Sequence, residues 1–262
     1  MAINHSMKKI LKALSFDGIE VEAARHLASL KAIDPMKIFH KTIDYKIYNG
    51  DYEVPVRIYL PREKVTEDLP VFLFFHGGGW VTDCIDNYER ICARLASATE
   101  HIVVSVEYRL APEHPFPTGF MDCYAVAKAI YTNRFILNVN PQRITLIGDS
   151  AGGNLAAAVS LKARDDGIFK PQRQILIYPA VNNDYSDTSR FQSVKDCGSD
   201  YLLTAGKMCD YIDFYAAREE DKKNKYFAPL METDYRNQPD TLILTAEFDP
   251  LRDEGEEYGK RL

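Results

Sequence analysis

Ile144-Thr145-Leu146-Ile147-Gly148-Asp149-Ser150-Ala151-Gly152-Gly153 is the stretch that decides how the rest of this chain is read. Ile144 to Ile147 is a short apolar run of the kind that forms a strand buried on both faces. The alanine-rich stretch from Ala151 to Arg164 reads as a helix, because straight-chain and alanine side chains lose little freedom there. Between them lies Gly148-Asp149-Ser150-Ala151-Gly152, a G-x-S-x-G pentapeptide. Glycines two before and two after the serine relieve crowding at a sharp turn, so the hydroxyl can project above a sheet from a strained backbone. The helix that follows aims its positive end at the same spot and favours negative charge developing there. Alone, the pentapeptide is also what an ordinary glycine-rich turn looks like.

Working outward, further apolar runs occur at Val71 to Phe75, Ile102 to Val106, Ile175 to Tyr178 and Thr241 to Thr245. Helical stretches at about 88–99, 118–132 and 151–164 lie between several of them. This βαβ alternation predicts an α/β fold with a doubly wound, mostly parallel sheet, and it places ligand sites at the carboxyl ends of the strands. Thr42 to Tyr48 and Val54 to Leu60 alternate in polarity around Asn49-Gly50-Asp51, which predicts an antiparallel hairpin. Residues 1–40 read as helical, with Val21, Ala24, Leu27 and Leu30 on one apolar stripe and Glu20, Glu22 and Arg25 outside it. The interval between Tyr178 and Thr241 is far longer than an ordinary crossover. We read 182–225 within it as an inserted cap holding Phe191, Tyr201, Tyr211, Phe214 and Tyr215, with Glu219 to Lys223 as a solvated turn.

The chain has 262 residues, 46% of them hydrophobic, and a net charge of -6. That is enough to bury one core, and a single domain over 1–262 is expected. No basic stripe is present, so a nucleic-acid partner is not expected. Five cysteines without C-x-x-C spacing argue against a disulfide framework and against a zinc site. Neither a signal-peptide pattern nor a run of roughly 18 apolar residues is present, so the expectation is a cytoplasmic protein without a membrane partner.

A second motif changes the weight of the first. Phe74-Phe75-His76-Gly77-Gly78-Gly79-Trp80 follows another apolar run, and consecutive glycines let backbone N–H groups converge on a tetrahedral oxyanion. Together with Tyr108-Arg109-Leu110-Ala111-Pro112-Glu113-His114-Pro115-Phe116-Pro117 and Phe248-Asp249-Pro250-Leu251-Arg252-Asp253-Glu254-Gly255, these motifs resemble the bacterial hormone-sensitive-lipase-like carboxylesterases over about residues 40–262. The resemblance implies an α/β-hydrolase fold with Ser150 as nucleophile and Asp249 as the triad acid. It also implies Gly78, Gly79 and Ala151 as oxyanion-hole donors, and His76 and Gly77 as members of the oxyanion loop. A lid from the N-terminal helices and the 182–225 insertion follows from it too, with Tyr108 to Pro117 as a buried structural turn. Asp249 has support of its own, since it lies just past the last apolar run and after the serine. Asp253, which with Glu256 would make a helix N-cap and capping box, and Glu247 are the alternatives for the acid. Asp149 is assigned to the backbone network of the elbow.

All six histidines, His5, His26, His40, His76, His101 and His114, precede Ser150. The order for this fold is serine, acid, histidine, so no residue matches the base, and the chain reads as lacking a final strand and histidine loop. The expected function is a serine carboxylesterase acting on small short-acyl esters through an acyl-serine intermediate, impaired in this chain, with no metal or organic cofactor. A non-catalytic small-ligand binder, as in the plant gibberellin receptors that resemble this family, and an amide or peptide hydrolase are the alternatives. Homo-oligomerisation is left open.

Overall fold

The computed structural model describes residues 5–14, 18–29, 42–50, 52–61 and 69–262. Helices α1 (His5–Leu14) and α2 (Val21–Ser29) are followed by the hairpin β1 (Thr42–Asn49) and β2 (Tyr52–Tyr59). Then come β3 (Val71–Phe75), α3 (Ile85–Thr99), β4 (Ile102–Val106), α4 (Thr118–Tyr131), β5 (Ile144–Asp149), α5 (Ala151–Asp166) and β6 (Arg173–Ile177). The insertion carries α6 (Gln192–Cys197) and α7 (Ala205–Tyr215), and β7 (Asp240–Leu244) and α8 (Arg252–Arg261) complete the order.

The seven strands form one sheet in the order β1-β2-β4-β3-β5-β6-β7. β1 and β2 pair antiparallel, as do β2 and β4, and every later pairing is parallel. From β3 the chain crosses to β4 on one side and returns to β5 on the other, so the winding reverses between β3 and β5. That reversal opens a crevice at the carboxyl ends of the two strands. Phe75 pairs with Gly148 across them, so the glycine loop and the serine turn leave the sheet side by side.

Both faces of the central strands are covered. α3 sets Cys92, Ala93 and Ala96 against Phe72, Phe74, Val103 and Ile147. α5 lies on the opposite face with Leu155, Ala156, Ala157, Ala158 and Val159 fully buried, its small side chains allowing close approach. α8 rests on β7 through Gly255 and Gly259, where a Cβ would lie 3.1 Å from Thr245 Cγ2 and 3.4 Å from Ile243 Cδ1. β7 is the last strand of the described sheet, and Leu242 and Leu244 on its other face are 52% and 47% exposed. No helix of the described residues is long and apolar enough to cross a membrane.

Four expectations need correction. Leu27 is 62% exposed, whereas Arg25 turns inward to hydrogen-bond Val81 and Ala111. A guanidinium satisfying buried carbonyls outweighs the apolar pattern here. Leu30 lies outside the described residues. The turn at 219–223 is a short 3-10 helix whose Asp221 is buried, accepting the Arg218 N–H at 2.9 Å, so only part of that charge run is solvated. Asp253 sits inside the first turn of α8, with Leu251 at the flanking position, so it is not an N-cap. In the segment 108–117, Tyr108, Ala111 and Phe116 are buried, but Pro112, Glu113 and His114 are exposed.

Candidate active site

Ser150 occupies the turn between β5 and α5 with φ 53° and ψ -119°, a left-handed conformation that costs a non-glycine residue about 1–3 kcal/mol. Its neighbours hold it there. The Ser150 N–H donates to Ile177 O at 2.9 Å, while its carbonyl accepts from Asn154 N at 3.0 Å and Ala180 N at 3.2 Å. The flanking glycines are required by close approach rather than by their own dihedrals. A Cβ on Gly152 would run into the Phe75 carbonyl, and one on Gly148 into the Gly152 backbone.

The glycine loop is aimed by its carbonyls. A peptide is planar, so fixing the C=O of one residue points the next N–H the opposite way. The Gly77 carbonyl is held by His76 Nδ1 at 2.8 Å, which directs the Gly78 N–H. The Gly78 carbonyl takes three donors, Val81 N at 3.1 Å, Thr82 N at 2.9 Å and Thr82 Oγ1 at 3.0 Å, which directs the Gly79 N–H. Gly78 has φ 106° and Gly79 φ 60°, values that L side chains rarely adopt. Among the described residues, no protein acceptor takes the N–H groups of Gly78, Gly79 or Ala151. Tyr211 of α7 packs on the outside of this loop, where its ring occupies the space a Gly79 Cβ would need.

Asp149, next to the serine, joins the two motifs. Its Oδ1 accepts the Gly77 N–H at 3.0 Å and its Oδ2 the Tyr88 hydroxyl at 2.7 Å. Burial pushes its carboxyl up to about 6, against the opposing effect of the Tyr88 and Gly77 donors. The His76 ring is fully buried and stacked on Tyr108 at 4.3 Å, and burial lowers it to about 4, so it is neutral at pH 7.

Asp249 follows β7, with Oδ1 accepting Leu251 N at 2.9 Å, and burial raises its carboxyl above the usual range. Burial raises the Tyr178 hydroxyl at the end of β6, and the charges of Asp149 and Asp249 add to the shift. The alternatives are occupied otherwise. Asp253 Oδ2 accepts Ser193 N at 2.7 Å and Oδ1 accepts Arg252 Nε at 2.9 Å, tying α8 to α6. Glu247 is exposed, and its carbonyl accepts Arg252 Nη1.

Three contributors escaped the sequence reading. Tyr88, in the first turn of α3, had no motif to mark it. Asn154 donates from Nδ2 to Ala180 O and Phe227 O, both at 2.8 Å, clamping both ends of the insertion beside the elbow. An amide in an alanine-rich helix was the available signal. Glu254 is fully buried; its Oε1 accepts Val181 N at 2.8 Å, Asn182 N at 3.2 Å and the Tyr185 hydroxyl at 2.8 Å. Its Oε2 has no partner among the described residues, and burial pushes the carboxyl up to about 8.

A parallel sheet with a serine elbow and an adjoining glycine loop at its switch point defines an α/β hydrolase. Comparison with known proteins agrees: a family profile described as the α/β-hydrolase fold matches residues 72–262. The chain is 38% identical over 248 residues to an arylesterase of Saccharolobus solfataricus, covering 94% of this chain and 78% of that protein. It is 33% identical over 264 residues to an ethyl acetate hydrolase of Pseudomonas putida, covering 96% and 80%. Among solved structures, a hyperthermophilic esterase from the archaeon Pyrobaculum calidifontis superposes with a TM-score of 0.86 at 35% identity, covering 99% of this chain and 85% of that one. This chain belongs to the α/β-hydrolase family, and within it to the hormone-sensitive-lipase-like carboxylic ester hydrolases.

Proposed function

We propose that the chain carries the acylation machinery of a serine carboxylesterase for small, short-acyl esters. One observation carries the reading: Ser150 is held on a strained elbow beside the amides of Gly78, Gly79 and Ala151, none of which has a protein acceptor among the described residues. Ser150 Oγ attacks the ester carbonyl, and the negative charge moves onto the carbonyl oxygen. The three N–H groups stabilise that charge, each worth about 10²- to 10³-fold in rate. The leaving oxygen takes up the proton that the Ser150 hydroxyl gave up and departs as the alcohol, an acyl-serine forms, and water then releases the acid. Asp249 is the acid that would orient a histidine base in the complete triad. The preference for short acyl groups rests on the family resemblance together with the aromatic insertion, whose Tyr211 packs against Gly79. Esters as substrates are supported by the names of the relatives, an arylesterase and an ethyl acetate hydrolase.

Residues 151–262 contain no histidine. His76 is buried against its own loop, His101 stacks on Phe72 at the amino end of the strands, and His114 is exposed on the 108–117 turn. We therefore assign none of them as base, and residues 1–262 by themselves are expected to turn over slowly. The same observation favours the second reading, a pocket that binds a small ligand without turnover. A fluorophosphonate probe separates the nucleophile from a passive pocket: intact mass should show one adduct on the folded protein and none on Ser150→Ala. A folded protein that stays unlabelled at high probe concentration even with added imidazole to serve as base would remove Ser150 as nucleophile.

A further inference from the structure

We propose that Arg25 is a positioning residue for the oxyanion loop, so that docking of helix α2 and the aim of the Gly79 N–H are one structural event. The catalytic meaning of this rests on the serine-hydrolase reading; the structural coupling does not. Arg25 projects from α2 to three acceptors on two other segments. Nε donates to Val81 O at 2.9 Å and Nη2 to Ala111 O at 2.9 Å. Nη1 and Nη2 pair with the two oxygens of Glu113, both at 2.7 Å.

Val81 belongs to the tight turn that fixes the Gly78 carbonyl. Its own N–H makes one of the three bonds to that carbonyl, and Thr82 makes the other two. The preceding carbonyl, Trp80 O, accepts Ala111 N at 2.9 Å, so the turn is stitched to the 108–117 segment as well. Arg25 thus closes a ring of bonds running from α2 to Val81, through the turn, to Ala111 and back. Without the guanidinium, Val81 O loses its donor and the peptide that follows gains freedom to tilt. Thr82 N and Oγ1 lie on that peptide and the next residue, and they hold the plane that aims the Gly79 N–H.

The Glu113 pair is not what sets the aim. Glu113 is exposed, and exposed ion pairs typically contribute only about 0–1 kcal/mol. Its carboxylate orients the fork, while the bonds to backbone carbonyls transmit the position. Lysine cannot substitute, because one ammonium does not span a planar set of three acceptors.

The test compares Arg25→Met, which keeps the apolar stem, with Glu113→Gln, which removes the ion pair and leaves the carbonyl bonds. Residue-resolved amide exchange reads the Val81 and Thr82 N–H groups, with Asn154 N–H as the internal reference because its bond to Ser150 O is remote from α2. In Arg25→Met, exchange at Val81 and Thr82 should accelerate about ten-fold or more with Asn154 unchanged. In Glu113→Gln all three should stay at wild-type rates. Phosphonylation of Ser150 should follow the same pattern, with the limiting rate lowered about ten-fold in Arg25→Met and the half-saturating probe concentration unchanged. Unchanged exchange at Val81 and Thr82 in folded Arg25→Met, or an equal acceleration in Glu113→Gln, overturns the proposal. Should Arg25→Met fail to fold, Arg25→Lys carries the comparison: acceleration at the two amides supports the proposal, and wild-type exchange there overturns it. If the folded wild-type protein takes no phosphonyl group at all, the nucleophile reading fails, and the exchange comparison still decides the role of Arg25.

Discussion

Glu254→Gln should make the protein more stable at alkaline pH while changing little in acid. The carboxyl is fully buried, one oxygen takes three donors, and burial pushes it from the ordinary 4.5 up to about 8. A folded-state value raised above the unfolded one contributes stability that is fully present below about pH 4.5 and is lost as pH rises toward 8. In that window the unfolded chain releases the proton while the folded chain keeps it. Each pH unit costs about 1.4 kcal/mol, so between pH 5 and pH 8 the wild type forfeits on the order of 4 kcal/mol through this one group. Glutamine retains the accepting oxygen, carries no charge in either state, and so lacks this slope. Asp149, raised to about 6 by burial, adds a slope of the same sign at lower pH, but both proteins share it and it cancels in the difference. Urea unfolding at pH 5, 6.5 and 8 is the assay. The stability of Glu254→Gln minus that of wild type should grow with pH by a few kcal/mol, roughly 10 °C in Tm for a domain of this size. Parallel stability curves for the two proteins would refute the reasoning, because they would mean that Glu254 is ionised in the folded state.

Gly152→Ala should destabilise by more than about 3 kcal/mol or prevent folding, since its methyl meets the Phe75 carbonyl, which cannot retreat without breaking the sheet; a near-wild-type Tm would contradict the packing described. Tyr88→Phe removes the hydroxyl bonded to Asp149, which should cost about 1–3 kcal/mol by urea unfolding and slow phosphonylation of Ser150; labelling at the wild-type rate would mean that the loop does not need this support. For residues 1–262 tested alone with 4-nitrophenyl acetate, turnover should not exceed roughly 10³- to 10⁴-fold over water, and His114→Gln should leave it unchanged. A marked loss in His114→Gln would instead identify that ring as the base.

The strands and the serine elbow were legible because their signals are local. Near-continuous apolar runs at 71–75, 102–106 and 144–147 became the three buried central strands, and G-x-S-x-G marked the turn between β5 and α5 within a residue. Strand edges were less legible. β6 begins at Arg173, before the apolar run, because its ladder with β5 is set by backbone bonds that an exposed arginine does not disturb. The residues that hold the site in shape were the least legible. In the bonds described above, Arg25, Tyr88, Asn154 and Glu254 act on partners between 26 and 88 positions away in the chain, and only folding brings those partners near. Helical periodicity sorted Arg25 to the solvent side because it scores polarity, whereas the carbonyls of Val81 and Ala111 required a donor.

The pairing of Phe75 with Gly148 has a consequence for how such a protein changes over generations. Because the two loops that would surround a reacting carbonyl leave neighbouring strands at the same rung of one ladder, their relative height is inherited from the sheet. Insertions or replacements in 182–225 can reshape what enters the crevice without resetting that height. Substrate range and reactive geometry are in this sense written in separable parts of the chain, and a library confined to the insertion samples the first while leaving the second alone.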